Sequence, residues 1–140
     1  MKIVFDPSTL HQSTMGSITA VVYFEFGQVR QFPGKGWNDF VVVIAGWWFE
    51  TLKQISEGKT EAKFRFMDGP YWINAALQGS CLLLHCIEDR SDAGPVYEDM
   101  ISIEEFRHEL LTLAQSVSFA CKKAGFKSRD LDGLRAVLPN

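Results

Sequence analysis

The chain has 140 residues, 46% of them hydrophobic and 13% aromatic, which is enough for one domain with a hydrophobic core that needs no disulfides or metals. The formal net charge of −3 argues against a protein that binds nucleic acid directly, because such proteins normally carry a strongly basic surface. The longest apolar run, residues 40–49, is shorter than the roughly 20 residues that span a bilayer, so we expect no membrane partner.

The three cysteines, Cys81, Cys86 and Cys121, fit no zinc-binding spacing, and an odd number makes no complete set of disulfides. They lie within apolar patterns, so we expect them to be small buried hydrophobic residues in a reducing compartment. The first seven residues reach a charge and a proline too early for a secretory signal peptide. A cytoplasmic protein is therefore expected.

The first part of the chain predicts strands. Residues 2–5 favour a short strand, and the polar residues 8–16 favour a loop. Apolar and polar residues alternate over 17–26, which is typical of a strand, and residues 29–32 favour a second, shorter one. Proline and glycine at 33–36 then separate these strands from the central segment.

The central segment predicts a helix over about 38–57. Asn38 is a suitable N-cap residue, and Asp39 would lie at the positive end of the helix dipole. Gly58 suits the left-handed conformation that often follows a helix.

The apolar run inside this segment has two consequences. Its four β-branched residues, 41–44, leave open an alternative in which a strand over 40–44 precedes a shorter helix. The helix is favoured because no turn separates the two halves. Since the run is apolar around its whole circumference, we expect the helix to be buried on every side, including at Trp47.

A meander of strands is predicted after the central helix. Three strands are expected at residues 61–67, 71–77 and 81–88, and a possible edge strand at 96–101. Turn residues at 68–70 and 78–80 connect the first three. The third strand is apolar on both faces, which predicts a strand that is central or covered on both sides.

A second main helix is predicted over about 102–124. Ser102 and Glu105 form a capping box, and Gly125 is a suitable stop. A short C-terminal helix is predicted at 129–137. Together the patterns predict a single α+β domain over residues 1–140, in which an antiparallel sheet, a meander of about four to six strands, packs against two main helices and the short C-terminal helix.

No motif in the sequence carries recognisable catalytic chemistry. His11, His85 and His108 are scattered, and none pairs with a cysteine, a carboxylate or another histidine at a metal-binding spacing. The chain also has no glycine-rich phosphate loop and no nucleophile elbow. We therefore predict a protein that is not an enzyme and that has no catalytic residues, bound metal or cofactor.

Two surface features predict a protein-binding site. The first is the turn that begins at Asp68, because two large aromatic residues follow it and such residues are favoured at interfaces. The second is an acidic tract with seven acids between Glu88 and Glu105 against one base. The predicted partner-binding residues are Asp68, Tyr71, Trp72, Glu88, Asp89, Asp92, Tyr97, Glu98 and Asp99.

Each of these features also has a purely structural interpretation. One aromatic ring of the turn would enter the core while the other covers the sheet. The acidic tract would be an ordinary solvated surface.

Three motifs within residues 37–71 resemble small immunity proteins of bacterial polymorphic-toxin and contact-dependent growth inhibition systems. They are Trp37-Asn38-Asp39-Phe40, the pair Trp47-Trp48, and Phe66-Met67-Asp68-Gly69-Pro70-Tyr71. The resemblance implies a cytoplasmic protein without enzymatic activity that binds a cognate toxin domain, often a nuclease. Contact residues vary widely in such proteins, so none is carried over. The acidic balance of the chain agrees, because it would steer the protein toward a basic nuclease.

Two other functions remain open on the sequence. One is a small-ligand-binding or enzymatic domain with an aromatic-lined pocket, which would use His85 or Asp68 as its polar group. That pocket would be lined by Trp37, Trp47, Arg65, Tyr71 and Trp72. The other is a homo-oligomer in which an edge strand or the second helix packs against its own copy.

Overall fold

The computed structural model describes residues 1–89 and 94–139, which form eight strands and three helices. The strands are β1 (Lys2–Gln12), β2 (Ile18–Phe26), β3 (Arg30–Phe32), β4 (Asn38–Asp39), β5 (Glu61–Arg65), β6 (Tyr71–Gln78), β7 (Cys81–Glu88) and β8 (Tyr97–Ser102). The helices are α1 (Val41–Ser56), α2 (Ile103–Ala124) and α3 (Arg129–Val137). The predicted α+β class and the two main helices are confirmed.

The strands divide into two antiparallel sheets of four strands each. In the first sheet, β2 pairs with β1 on one side and with β3 and β4 on the other. The strand β1 extends to Gln12, so the prediction of a loop from residue 8 was wrong. Its pairing register shifts between Asp6 and His11, because Pro7 has no N–H to donate across the sheet.

The second sheet is the predicted meander, with strand order β5-β6-β7-β8. One face of this sheet carries buried residues such as Phe64, Ile73 and Leu84. On the other face, no residue that the structure describes is buried. The prediction that β7 is either central or covered on both sides is met by its first alternative, since β7 lies between β6 and β8 while Leu83 and Ile87 lie on the uncovered face.

The helix α1 includes the four β-branched residues 41–44, so the alternative of a strand there is excluded. Val41, Val42 and Ile44 are buried, and this tertiary packing outweighs their modest helix propensity. The predicted N-cap was wrong: Asn38 pairs with β2 as part of β4, and Phe40 precedes the helix without a side-chain cap.

The two adjacent tryptophans of α1 have opposite environments. Trp48 is fully buried, and its Nε1 donates a hydrogen bond to the carbonyl oxygen of Arg65 at 2.7 Å. Trp47 is 45% exposed, which contradicts the expectation that it is buried. Successive helical residues point about 100° apart, so one ring enters the core and its neighbour leaves it.

The helix α2 begins at the predicted capping box, since the hydroxyl of Ser102 accepts a hydrogen bond from the backbone N–H of Glu105. It ends at Gly125, which has the predicted left-handed conformation. The buried face of α2 joins both sheets and α1 in one hydrophobic core, where Phe24 and Phe64 each contact the ring of Phe106. Among the described residues, no helix is long and apolar enough to cross a membrane.

Candidate functional site

Backbone pairing at one end of the second sheet places the segments that carry three carboxylates beside one another. The β6–β7 pairing places Tyr71 opposite Glu88, and the N–H of Asp89 donates to the carbonyl oxygen of Pro70 at 2.8 Å. This contact brings the end of β7 beside the turn that contains Asp68. Asp68 and Asp89 are exposed, and Glu88 is half-buried. We call Asp68, Glu88 and Asp89 the acidic end.

A buried carboxylate holds the turn of the acidic end. Asp39 is 1% exposed, and its oxygens accept hydrogen bonds from three N–H groups. The donors are the Trp37 Nε1 at 3.0 Å, the Phe40 backbone at 2.7 Å and the Asp68 backbone at 3.2 and 3.3 Å. Asp39 therefore connects β4, the start of α1 and the turn before β6.

The environment of Asp39 acts on its pKa in two directions. Burial is the largest effect and raises the pKa above its ordinary value, because a charged carboxylate is poorly solvated there. The hydrogen bonds from Trp37, Phe40 and Asp68 lower it, and the negative charge of Asp68 raises it slightly. The net shift is upward, so ionisation of Asp39 is less favourable in the folded chain than in the unfolded chain.

Aromatic packing makes the same turn rigid. The rings of Trp37 and Tyr71 meet edge to face with centroids 5.1 Å apart. Gly69 has a φ of +74°, and a Cβ there would lie 3.0 Å from both rings, so only glycine fits. Tyr71 also packs against Phe32, which places its ring at the border of the core. The structural interpretation of this ring is therefore confirmed.

Trp72 lies on the opposite face of the sheet from Tyr71. The cationic groups of Lys63 and Arg65 lie 5.0 and 5.5 Å from the centre of its ring. Its Nε1 is covered from solvent and has no hydrogen-bond acceptor among the described residues. The ring is therefore held by stacking, and it does not extend the aromatic cluster at the acidic end.

The rest of the predicted tract does not join the acidic end. Glu98 lies on the uncovered face of the sheet and pairs with His85, whose Nε2 is 3.0 Å away. Tyr97 points the other way and packs on Phe26, with ring centroids 5.0 Å apart. A carboxylate oxygen of Asp99 accepts a hydrogen bond from the next backbone N–H in the chain. Asp92 lies outside the described residues.

Two residues at the acidic end were missed by the sequence reasoning. Asp39 was assigned to the helix dipole, although it lies in a motif that carried the resemblance. Met67, in the turn next to Asp68, is 47% exposed and adds apolar surface beside the carboxylates. The sequence does contain a signal for Met67. It directly follows the apolar Phe66, so it breaks the alternation of apolar and polar residues just before the turn.

The side chains of the alternative aromatic pocket do not converge. Trp37 and Tyr71 pack together, Trp72 is on the other face of the sheet and Trp47 is on the exposed side of α1. His85 lies midway along β7, opposite Asn74, away from the turn at Asp68. Among the described residues, no group of three histidine, cysteine or acidic side chains could hold a metal ion.

The cysteines behave as hydrophobic residues. All three are free, and Cys86 and Cys121 are buried while Cys81 is half-buried. Burial raises the pKa of the Cys86 thiol to about 12 and also raises that of Cys121. These two thiols are therefore protonated at neutral pH, a state in which they are poor nucleophiles.

A groove of about 420 Å³ lies between α1 and β5. It is polar, and its lining includes three basic side chains, those of Lys59, Lys63 and Arg65. Two of these cations, Lys63 and Arg65, stack on Trp72, so they belong to the surface of the sheet as much as to the groove.

Comparison of the chain with protein-family models, with curated proteins and with solved structures found no match.

Proposed function

We propose that this chain is an immunity protein that binds a cognate bacterial toxin domain and neutralises it through protein–protein contact. The observation that carries the proposal is the acidic end. Its Asp68 and Asp89 are exposed, and the backbone N–H of Asp68 is hydrogen-bonded to the buried carboxylate of Asp39. A basic domain such as a nuclease is the partner whose charge complements it.

The geometry of the acidic end suits the binding of a folded partner. The hydrogen bond from Asp68 to Asp39 and the close packing of Gly69 fix the turn before any partner arrives. Binding to a fixed turn costs less conformational entropy than binding to a loop that must first become ordered. Met67 and the half-buried Tyr71 add apolar surface to the turn that contains Asp68, so the site combines apolar and charged groups as protein interfaces do.

Electrostatic steering supports the same assignment. The carboxylates of Asp68 and Asp89 are exposed, so their field reaches a partner before contact is made. In complexes of this type, complementary charges raise the association rate and exclude partners of the wrong sign. Inhibition requires only binding, and it would take place in the cytoplasm of the cell that the protein protects.

The test is expression of the product of the gene directly upstream, which the proposal requires to contain a toxin domain. We expect that domain to arrest growth when it is expressed alone, and we expect co-expression of this chain to restore growth. The two proteins should also purify together as a complex. A neighbouring gene whose product causes no growth arrest, or an arrest that this chain does not relieve, would contradict the proposal.

A further inference from the structure

The uncovered face of the second sheet is a continuous surface built by alternate residues of all four strands. We call it the open face. Asn74 and His85 lie opposite each other at its centre with apolar side chains on either side of them, and Met100 at one side of the face is 50% exposed. The large apolar residues of the open face are Trp72, Leu83, Ile87 and Met100. These four side chains give the face an apolar area that a second layer would cover.

The charges of the open face are separated from one side to the other. Lys63 and Arg65 lie on β5, one edge of the sheet, and Glu98 lies on β8, the opposite edge. The remaining acid, Glu61 on β5, accepts a hydrogen bond from Asn74 at 2.7 Å. The open face thus carries two cations along β5 and the carboxylate of Glu98 along β8, with Asn74, His85 and the apolar residues between them.

We propose that the open face binds a second copy of this chain, in a two-fold symmetric dimer whose axis runs parallel to the strands. Such an axis places β5 of one copy over β8 of the other, and β6 over β7. Two sheets packed in this way lie about 10 Å apart, within reach of long side chains.

The pairing register shows which residues meet. Lys63, Asn74, His85 and Glu98 form one row across the four strands. The symmetry axis therefore sets Lys63 over Glu98 of the second copy, and Asn74 over its His85. The neighbouring rows set Trp72 over Ile87 and the small Ala76 over the larger Leu83. Lys63 thus meets an opposite charge and Trp72 an apolar side chain, while Glu61, which is already bonded to Asn74, lies over Met100.

Other arrangements fit less well. An axis perpendicular to the strands would set β5 over β5 of the second copy, so the cations of Lys63 and Arg65 would face those of the second copy, and like charges in contact are unfavourable. A uniformly basic partner would meet Lys63 and Arg65 on half of the open face. The acidic end lies beyond the open face at the end of the sheet, so the dimer leaves it exposed. The dimer is therefore independent of the proposed toxin binding.

The test is sedimentation of the full chain over a series of concentrations, together with a charge swap. Lys63→Glu and Glu98→Lys should each weaken the dimer at least about tenfold, and the double variant should recover most of the loss. Within one copy these residues are separated by two strands, and the double variant restores neither the stacking on Trp72 nor the pair with His85. Recovery therefore reports a contact between copies.

Two controls keep the test specific. Lys122→Glu changes an exposed charge of α2 away from the open face and should leave the dimer unchanged. Leu83→Arg should abolish the dimer while the circular dichroism spectrum stays that of the folded chain, because this residue is outside the core. A wild-type chain that stays monomeric up to about 0.2 mM would overturn the proposal. So would a double variant as weak as its parents, or a Leu83→Arg dimer.

Discussion

Replacement of Asp39 tests how the acidic end is held. Asp39→Ala removes the acceptor of three N–H groups, those of Trp37, Phe40 and Asp68. A buried donor without a partner costs about 1–3 kcal/mol. The three donors belong to half-buried or exposed residues, so each should cost a value near the lower limit. The expected total loss of stability is about 2–4 kcal/mol. Asp39→Asn keeps one acceptor oxygen and removes a poorly solvated charge, so it should cost about 1 kcal/mol.

The pH dependence gives a second measurement on the same variants. Because the pKa of Asp39 is raised in the folded state, the folded chain binds this proton more readily than the unfolded chain, in which the value is 3.8. The wild type should therefore gain stability relative to Asp39→Asn as the pH falls through the folded pKa. This gain is complete below 3.8 and is lost as the pH rises through the folded value.

Urea unfolding, followed by circular dichroism, measures these free energies by linear extrapolation. Carboxylates common to wild type and variant cancel in the comparison. An Asp39→Ala protein as stable as the wild type would refute the role assigned to the carboxylate. A wild type that loses stability relative to Asp39→Asn on acidification would refute the direction of its pKa shift.

Two further pairs of variants test the packing around the site. Trp48→Ala should cost about 3–5 kcal/mol in urea unfolding, because its ring is fully buried, whereas Trp47→Ala should cost less than about 1 kcal/mol. Equal costs would contradict the assigned environments. Gly69→Ala should destabilise more than Gly79→Ala, by about 1–3 kcal/mol, because both have positive φ but only Gly69 has neighbours within 4 Å. Similar losses at the two glycines would show that backbone strain alone matters.

The structure shows which sequence signals were sufficient. The capping box at Ser102 and the meander were predicted well, because each depends on residues close together in the chain. The start of α1 was not predicted correctly, because Asn38 and Asp39 pair with β2. Nothing in the local sequence indicates that β2 lies next to them. The hydrogen bond from Asp68 to Asp39 could not be predicted either, because the two residues are 29 positions apart in the chain.

The candidate site was predicted in part for a related reason. The acidic tract was treated as one surface because its residues are neighbours in sequence. In a strand, however, successive side chains point to opposite faces, so Glu98 and Asp99 separate. The hairpin of β6 and β7 instead brings the turn that contains Asp68 beside the end of β7, where Glu88 and Asp89 lie. That Asp68 lies near Glu88 and Asp89 can be derived from the predicted turn at 78–80, once the pairing register of β6 and β7 is known.

The most direct test of toxin binding through the acidic end is the affinity of charge-reversed variants for the purified toxin domain. Asp68→Lys with Asp89→Lys changes two exposed acids of the site, and Glu50→Lys with Glu57→Lys changes two exposed acids of α1 or its end by the same net charge. Titration calorimetry should show the first variant binding at least about tenfold more weakly and the second binding like the wild type. Equal affinity of the two variants would contradict the account.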